Sequence, residues 1–485
     1  SIGRYIYRPM KSNATPCFPQ FAAKVAAMGK RAVAPLSSLI DVEAQFSRFL
    51  PKRGPEFPAD GPRRRDRKYP SAIVFWSFIW QVLKPRTSCR EVVRQIQATR
   101  ETQNFKYDES TSGYCQARTR LPESTLRKAL ADTAETAAQL SHAGVPGWNR
   151  PVKVVDATSV TLPDTAANRK TYAYAPGQKP GCGFPNMKVL ALSSLASGAV
   201  LAARETGKHI HDIRMFKVFF DLFKPGDIAL GDRAFCAFAS MATLLLGKVD
   251  SVFRLHQRRL LDKRQARRIG PSDWIATWTR PIQRPDYVEQ KEWDALPEII
   301  QVRIFRVQLK HNGFRTQTLW IATTLLDPVA YPLERIAVLY RMRWEIELGF
   351  RDLKTTMAME ELRCRTPAMV RKELLAYLVA HNFIRCLEAE AATRHGVPRH
   401  RISFKGTIDA ARAFHAAMSR ARSKGKSKEL RDRLLEIIAL DLLPERPGRR
   451  EPRAVKRRPK PYPLLTKPRS IFREIPHRGK KSTAA

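Results

Sequence analysis

The chain has 485 residues, which is long enough for a core domain and at least one smaller domain or insertion. Lys and Arg number 87 against 45 Asp and Glu, and the resulting formal charge of +42 indicates a polyanionic partner, although it would also suit a ribosomal or membrane-surface protein. The seven cysteines form no C-x-x-C pair, which argues against a zinc ribbon or a disulfide framework and leads us to expect a cytoplasmic protein.

Residues 31–148 alternate short amphipathic helical patterns with basic turns, and we expect a helical DNA-binding domain there after an N-terminal extension over 1–30. The apolar run over 71–83 is too short to span a bilayer and predicts a buried helix. Further helices are predicted over 89–100 and 121–140, so a helix-turn-helix-like DNA reader is one interpretation. A generic helical bundle with solvated basic faces is the other, because three short helices are not a specific signature.

The pattern changes at Val152. The runs VKVVDATSVTL and MKVLALSSLASGAVLAARET predict adjacent antiparallel strands, with a turn at Ser197-Gly198. Alternating elements follow, with helices predicted over 211–223 and 236–246 and strands over 227–230 and 251–255. Three strands followed by alternating helices and strands is the order of a ribonuclease H-like α/β core, which we place over residues 149–400. Many mixed folds share that order.

A second segment interrupts the alternation. Residues 256 to about 326 begin with a basic stretch and continue into a predicted hairpin around Asn312-Gly313, so we expect a β-rich insertion there. Two long helices are then predicted, over 333–357 and 367–393, and we expect them to pack side by side. The remaining segments are predicted as a C-terminal helical region over 401–443 and a basic, proline-rich disordered tail over 444–485.

The segment YRMRWEIELGFRDLK carries four polar residues at a helical spacing. Tyr340, Arg343, Glu347 and Lys354 stand at offsets 0, 3, 7 and 14, and a helix places them within an arc of about 60°. Glu345 would project about 160° away from Glu347, so the periodicity selects Glu347 as the acid of this stripe. On this helix alone, a solvated ladder of salt bridges is the preferred explanation.

Two other carboxylates follow predicted buried strands. Asp156 follows the apolar run VKVV and Asp232 follows DIALG, so each can point into a crevice at the C-terminal edge of a strand. Together with Glu347 they supply the hard oxygen ligands that Mg²⁺ or Mn²⁺ prefers, and two such ions would suit them. A hydrogen bond in a turn explains either aspartate singly, but it does not explain the set of three.

These residues carry a family resemblance. The helix resembles the signature Y-x2-R-x3-E-x6-K of a large branch of DDE-type bacterial insertion-sequence transposases, and VVDATSV and LGDRAFC resemble its two Asp motifs. The resemblance implies a catalytic, metal-binding triad of Asp156, Asp232 and Glu347. It also implies three contacts to DNA phosphates near the scissile position, from Tyr340, Arg343 and Lys354.

The resemblance extends to two further DNA-binding candidates. Arg233 forms the family's Asp-Arg pair with Asp232, where it would bind phosphate or brace that acid. Trp320, in LWIATTLLD, stands where the family holds a flipped base, although an ordinary core or interface tryptophan is nearly as good an explanation. The long interval between Asp232 and Glu347 suits the branch that has a β-rich insertion there.

We therefore expect a cut-and-paste DNA transposase. The N-terminal helices would bind the terminal inverted repeats of double-stranded DNA, and the core would cleave one strand and join the end to target DNA. The resemblance further implies a hairpin intermediate, a homodimer that pairs two ends, and a place of action in the bacterial nucleoid with no membrane partner.

Three alternatives remain open at this point. A structure-selective nuclease on the same fold would use the triad without joining DNA ends. A non-catalytic or domesticated DNA-binding protein would be held to DNA by its charge, although the intact triad speaks against it. A basic RNA-binding protein would show no preference for inverted-repeat DNA.

Overall fold

The computed structural model describes residues 39–444 with short gaps, at 52–53, 58–68, 101–109, 142–147, 175–181, 208, 257–258, 260–261, 263, 310–316 and 422. The predicted extension over 1–30, the tail beyond residue 444 and the Asn312-Gly313 turn lie outside the described residues. Among the described helices, none combines the length and apolar character that crossing a bilayer requires.

Among the described residues, five α-helices precede the sheet: α1 (Leu39–Phe46), α2 (Ser71–Leu83), α3 (Cys89–Arg100), α4 (Ser112–Arg120) and α5 (Glu123–Leu140). The helices predicted over 71–83 and 89–100 are confirmed with the same bounds. Helix α5 begins two residues later than predicted, because Leu121 precedes Pro122 and a residue before proline is driven out of the helical conformation. Nine residues of α2 are buried, as its apolar sequence requires.

The central feature is one nine-stranded sheet. Its strands are β1 (Val152–Thr161), β2 (Asn186–Ser194), β3 (Val200–Gly207), β4 (Ile228–Gly231), β5 (Asp250–Arg254), β6 (Arg267–Gly270), β7 (Asp273–Thr279), β8 (Ile299–Leu309) and β9 (Gln317–Thr323). Their spatial order is β3-β2-β1-β4-β5-β9-β8-β7-β6. Strands β1, β4 and β5 are parallel, whereas β2 runs antiparallel to β1 and β3. The first five strands have the order and directions of a ribonuclease H-like core, so the predicted fold class is confirmed.

The remaining helices cover both faces of the sheet: α6 (Ala166–Thr171), α7 (Asp212–Phe216), α8 (Phe238–Leu246), α9 (Gln290–Asp294), α10 (Leu333–Met342), α11 (Trp344–Arg351), α12 (Pro367–His395), α13 (Phe404–Ser419) and α14 (Lys424–Leu440). One hydrophobic core joins Val154 and Leu230 to α12 and to helices from both ends of the described chain. A second core on the opposite face joins Val155 to α7 and α8. Alternate residues of the central strands therefore face different layers.

The predicted insertion continues the same sheet. Strand β9 pairs with β5 as well as with β8, so β6 to β9 extend the sheet beyond the core strands. The predicted hairpin between β8 and β9 is confirmed as an antiparallel pair. Arg303 on β8 and Asp273 on β7 form a buried ion pair at 2.6 Å, which fastens the two strands from within.

The helix predicted over 333–357 is not continuous. Two α-helices, α10 and α11, are separated at Arg343, and a π-helix follows over Asp352–Thr356. At the break, the Arg343 and Ile346 N–H groups donate to the carbonyls of Tyr340 and Arg343, which are bonds of the tighter i to i+3 kind. The single straight helix of the sequence prediction is therefore wrong at this point, and Lys354 lies on the π-helix.

A buried ionic network fastens the π-helix to α12. The Arg385 guanidinium donates to Asp352 Oδ2 at 2.8 Å and to Glu388 Oε2 at 2.7 Å, and all three side chains are at most 10% exposed. Arg399 lies 3.9 Å from Glu388 and donates to the Ala196 carbonyl. The segment that follows Glu347 is thus held by paired buried charges.

The buried histidine His415, on α13, predicts a pH-dependent stability. Burial lowers the pKa of His415 to about 4, with Arg412 adding to the effect. Because the unfolded chain takes up a proton near pH 6.5 and the folded chain does not, stability contributed by neutral His415 is lost as the pH falls from about 6.5 towards 4. We expect the His415→Leu variant to lose about 2 kcal/mol less unfolding free energy than the parent between pH 6.5 and 4.5.

Urea unfolding at a series of pH values measures this difference. The exposed His209 provides the control, since His209→Leu is expected to follow the parent profile. Parallel profiles for His415→Leu and the parent would contradict the prediction.

Candidate active site

Three parallel strands present polar residues at one edge of the sheet. The parallel pairing of β1, β4 and β5 ends at three residues that lie side by side: Val155, Gly231 and Phe253. The next residues on the three strands are Asp156, Asp232 and Arg254. Neighbouring strands lie about 4.8 Å apart, so these side chains form a short row in that order.

The row faces the helices that carry the sequence signature. Val154 and Leu230 belong to the core shared with α10 to α12, and residues two positions further along a strand point to the same face. Asp156 and Asp232 therefore point towards α10 and α11. All of Asp156, Asp232 and Arg254 are half-buried, as expected for side chains at the mouth of a crevice.

The position of Asp232 depends on the glycine before it. A Cβ atom at Gly231 would lie 2.9 Å from the ring of Phe235, 3.0 Å from Val155 and 3.1 Å from Phe253. Real Cβ atoms essentially never approach a neighbour to 2.9 Å, and the other two separations would require Val155 and Phe253 to shift. Only glycine lets the three neighbours close over the strand end and hold the backbone of Asp232 in place.

Arg343 joins the strand acid to the helix acid. Its Nη1 donates to Asp156 Oδ2 at 3.1 Å, and its Nη2 donates to Glu347 Oε1 at 2.7 Å. The other oxygen of Asp156, Oδ1, accepts the backbone N–H of Ala157 at 2.8 Å. Glu345 lies on the other side of α11, 3.9 Å from Arg399, so the helical periodicity correctly separated the two glutamates.

Both of the other acids act on the charge of Asp156. The pKa of Asp156 is raised to about 6, mainly by burial, and the negative charges of Glu347 and Asp232 contribute to the increase. The Ala157 N–H and the Arg343 guanidinium act in the opposite direction. A cation bound in this crevice in addition to Arg343 would reduce the repulsion between the carboxylates.

Tyr340 belongs to this group of side chains, whereas Lys354 does not contact it. The Tyr340 ring is 5% exposed, and the Arg343 guanidinium lies 5.9 Å from its centre. Burial raises the pKa of Tyr340, so its hydroxyl stays protonated as a hydrogen-bond donor. Lys354 is half-buried on the π-helix and makes no ion pair with the three acids.

The donor set suits a hard divalent cation. Asp156, Asp232 and Glu347 offer carboxylate oxygens only, which is the chemistry that Mg²⁺ and Mn²⁺ prefer. Within the described part of the chain, no three His, Cys, Asp or Glu side chains are grouped closely enough to hold a metal ion. The Arg343 guanidinium instead lies between two of the acids, Asp156 and Glu347, and neutralises them.

Arg233 points away from the triad. It opens a 3-10 turn directly after Asp232 and is exposed towards the face opposite to α11. There it lines a cleft of about 860 Å³, together with Lys188, His211, Asp212, Ile213, Ala234, Cys236, His256 and Arg259. The cleft is mainly basic, which suits a phosphate backbone.

Trp320 lies on β9, directly before the three residues of β9 that pair with β5. Its ring centre is 5.9 Å from that of Trp274, and its backbone carbonyl accepts the N–H of Leu255. The side chain is half-buried against the core that contains α7 and α8. Packing thus buries part of the Trp320 side chain and leaves the rest accessible to solvent.

Sequence reasoning missed Arg254. It ends an apolar strand just as the two aspartates do, and this was the signal available in SVFRL. The structure places it beside Asp232 in the row, where its charge lowers the pKa of Tyr340 against the effect of burial. Arg254 thus adds a cation to the same crevice.

Known proteins match the domain that holds these residues. A family model described as "Transposase DDE domain" matches residues 147–383. The transposase InsG for insertion sequence element IS4, from Escherichia coli (strain K12), is 24% identical over 415 residues, covering 83% of this chain and 89% of that protein. The transposase for insertion sequence element IS421, from Escherichia coli, is 37% identical over 57 residues, covering 12% of this chain and 15% of that protein.

Among solved structures, a cryo-EM structure of the piggyBac transposase synaptic complex with hairpin DNA aligns over 84% of each chain, with a TM-score of 0.40 and 10% identity. The matched family domain contains all three acids of the crevice, and InsG extends the similarity over most of both proteins. DDE transposases are DNA-binding polynucleotidyl transferases that generally require divalent metal ions. This chain belongs to the DDE-type insertion-sequence transposases.

Proposed function

We propose that the chain cuts its own insertion element out of DNA and joins it to a target, with Asp156, Asp232 and Glu347 as the catalytic residues. The observation that carries this assignment is that Arg343 bridges the strand acid Asp156 and the helix acid Glu347, while Asp232 follows the neighbouring parallel strand. An ordinary surface ladder of salt bridges would not bring a buried strand acid to the helix. The assignment therefore rests on contacts between distant parts of the chain.

The three acids would hold the metal ions. Divalent ions held there would supply activation of the attacking oxygen and stabilisation of the leaving oxygen of the phosphodiester. Asp156 contributes a carboxylate whose charged form is disfavoured by burial, so a cation beside it is strongly stabilised. Arg343 already compensates two of the acids and would be available to a DNA phosphate once other cations balance them.

Basic and hydroxyl groups on the same face would position the scissile strand. Arg343, Arg254 and the protonated Tyr340 hydroxyl lie together at the crevice and can donate to phosphate oxygens. Lys354 would reach DNA from further along, on the π-helix. Trp320 would present its accessible surface to an unpaired base.

The basic cleft on the opposite face of the strand ends would hold DNA that leaves the crevice. Arg233 directly follows the catalytic Asp232. A DNA backbone that crosses the sheet edge would therefore pass from the face with the three acids to the face with the basic cleft at this point. Lys188 and Arg259 line the same cleft and add positive charge. Arg233 would thus bind phosphate rather than brace Asp232.

The helices over residues 39–140 would bind the terminal inverted repeats, and two protomers would pair two ends in the bacterial nucleoid. The 3′-hydroxyl freed by the first cut would attack the opposite strand and close a hairpin before joining to target DNA. The nicking, hairpin and joining steps each give a distinct DNA product.

Product analysis on labelled DNA tests this sequence of steps. A fragment that carries one element end, incubated with the full chain and Mg²⁺, is expected to give a nicked product and then a hairpin of twice the single-strand length on a denaturing gel. Added plasmid is expected to acquire the labelled end. Nicking without either later product would identify a nuclease and contradict the transposition scheme.

Arg254 offers a quantitative test of the DNA path. Because it would neutralise one phosphate, Arg254→Ala is expected to weaken binding of element-end DNA and to reduce the slope of log affinity against log salt by about 1. Arg204, an exposed arginine on the outer strand β3, provides the control, and Arg204→Ala is expected to keep the parent slope. An unchanged slope for Arg254→Ala would remove this residue from the interface.

A further inference from the structure

Two cysteines outside the active site lie close to each other. Cys89 is the first residue of α3, and Cys115 lies in the first half of α4. Both sulfur atoms contact the same guanidinium nitrogen of Arg118, and both side chains are half-buried, so small molecules can reach them. The proposed DNA chemistry uses neither residue.

An arginine is fixed beside both sulfur atoms. Arg118 Nη2 lies 3.3 Å from Cys89 Sγ and 3.8 Å from Cys115 Sγ. The guanidinium is held in place by the rings of Phe78 and Tyr114, each with its centre 5.1 Å away. A fixed positive charge next to two thiols stabilises a thiolate at this position.

We propose that Cys89 and Cys115 are an oxidation site, a thiol pair that closes reversibly into a disulfide and joins α3 to α4. The inference does not depend on the proposed function, because it concerns only these helices. The sulfur atoms need to approach each other to the roughly 2.05 Å of a disulfide bond.

Hydrogen peroxide is a sufficient oxidant. The Cys115 thiolate attacks one peroxide oxygen, the O–O bond breaks, and hydroxide leaves with a proton as water, which gives a sulfenic acid on Cys115. The Cys89 sulfur then attacks the Cys115 sulfur, the S–O bond breaks, and the departing hydroxide takes the Cys89 proton as a second water. Two thiols are oxidised by two electrons, and one peroxide is reduced to two waters.

The environment distinguishes the two thiols. The hydrogen bond from Cys89 lowers the pKa of Cys115 to about 6, and Arg118 adds to this effect. The same hydrogen bond and burial raise the pKa of Cys89, which keeps its proton. Arg118 contacts both sulfur atoms, and the lowered pKa of Cys115 favours Cys115 as the attacking thiolate and Cys89 as the resolving thiol.

A third sulfur nearby is a competitor that the structure disfavours. Cys364 interacts electrostatically with both thiols, but it is 8% exposed and burial raises its pKa. It is thus both less accessible and less nucleophilic than Cys115. Cys364→Ser is the matched control, and Cys182→Ser controls for a half-buried cysteine elsewhere.

Peptide mapping of the full chain tests the proposal. After limited hydrogen peroxide treatment and blocking of free thiols, digestion is expected to yield a linked peptide pair containing Cys89 and Cys115, which dithiothreitol separates. Parent, Cys364→Ser and Cys182→Ser should form the link equally. Cys89→Ser should instead accumulate a sulfenic acid on Cys115 that a 1,3-diketone reagent traps.

The peptide map of the parent protein is sufficient to test the proposal, even if a variant folds poorly. Recovery of Cys89 and Cys115 as separately blocked peptides, or linkage of either one mainly to Cys364, would overturn the proposal. Equal trapping of sulfenic acid on Cys182 and Cys115 would also overturn it, because the reaction would then reflect exposure alone.

Discussion

Replacing Glu347 by glutamine, or Asp156 by asparagine, is expected to lower the rate of metal-dependent DNA cleavage on the order of 1000-fold. Both changes keep the size of the side chain and an oxygen for Arg343, but they remove a charge that the metal ions need. The measurement is the single-turnover rate of nicking on element-end DNA in Mg²⁺.

Glu345 provides the matched control on the same helix. It lies two residues from Glu347 but faces Arg399 at 3.9 Å, outside the crevice. Glu345→Gln is therefore expected to cleave within a few-fold of the parent rate, and all variants should bind the DNA end. Equal losses for Glu345→Gln and Glu347→Gln would show that the helix, and not its crevice face, is what matters.

The second large effect is expected on folding. Arg385→Met removes the cation between Asp352 and Glu388 and leaves two buried carboxylates with incomplete compensation. Breaking a buried pair in this way costs about 3–5 kcal/mol of unfolding free energy. Urea unfolding monitored by circular dichroism measures the change.

Arg351 tests whether burial is the cause. It pairs with the same Asp352 at 3.9 Å, but its side chain is 60% exposed. Arg351→Met is expected to change the unfolding free energy by less than about 1 kcal/mol, because exposed ion pairs contribute little. A loss for Arg351→Met as large as that for Arg385→Met would contradict this explanation.

Local periodicity was sufficient to predict some of the regular elements. The apolar run of α2 and the strand pattern before Asp156 depend on neighbouring residues alone, and the structure has both where they were predicted. The division between Glu345 and Glu347 also follows from the rotation of a helix by about 100° per residue. These are features that a single stretch of sequence specifies.

Contacts between distant segments could not be predicted from the sequence. The pairing of β9 with β5 joins residues that are far apart in the chain, so the insertion could be recognised as β-rich but not as part of the same sheet. The π-helix after α11 depends on Arg385, which lies 33 residues after Asp352. Arg254 went unnoticed because its importance comes from the register of β5 with β4.

The placement of α12 has a consequence for how this enzyme can be divided. It is buried along most of its length between the sheet and helices from both ends of the described chain, and Asn382 bonds to backbone groups of both Leu130 and Val200. Removing the first five helices would expose this central surface to water. The helices that would read the repeats and the centre that would cut DNA are therefore expected to melt in one transition, so grafting either onto another transposase should cost solubility before it alters specificity.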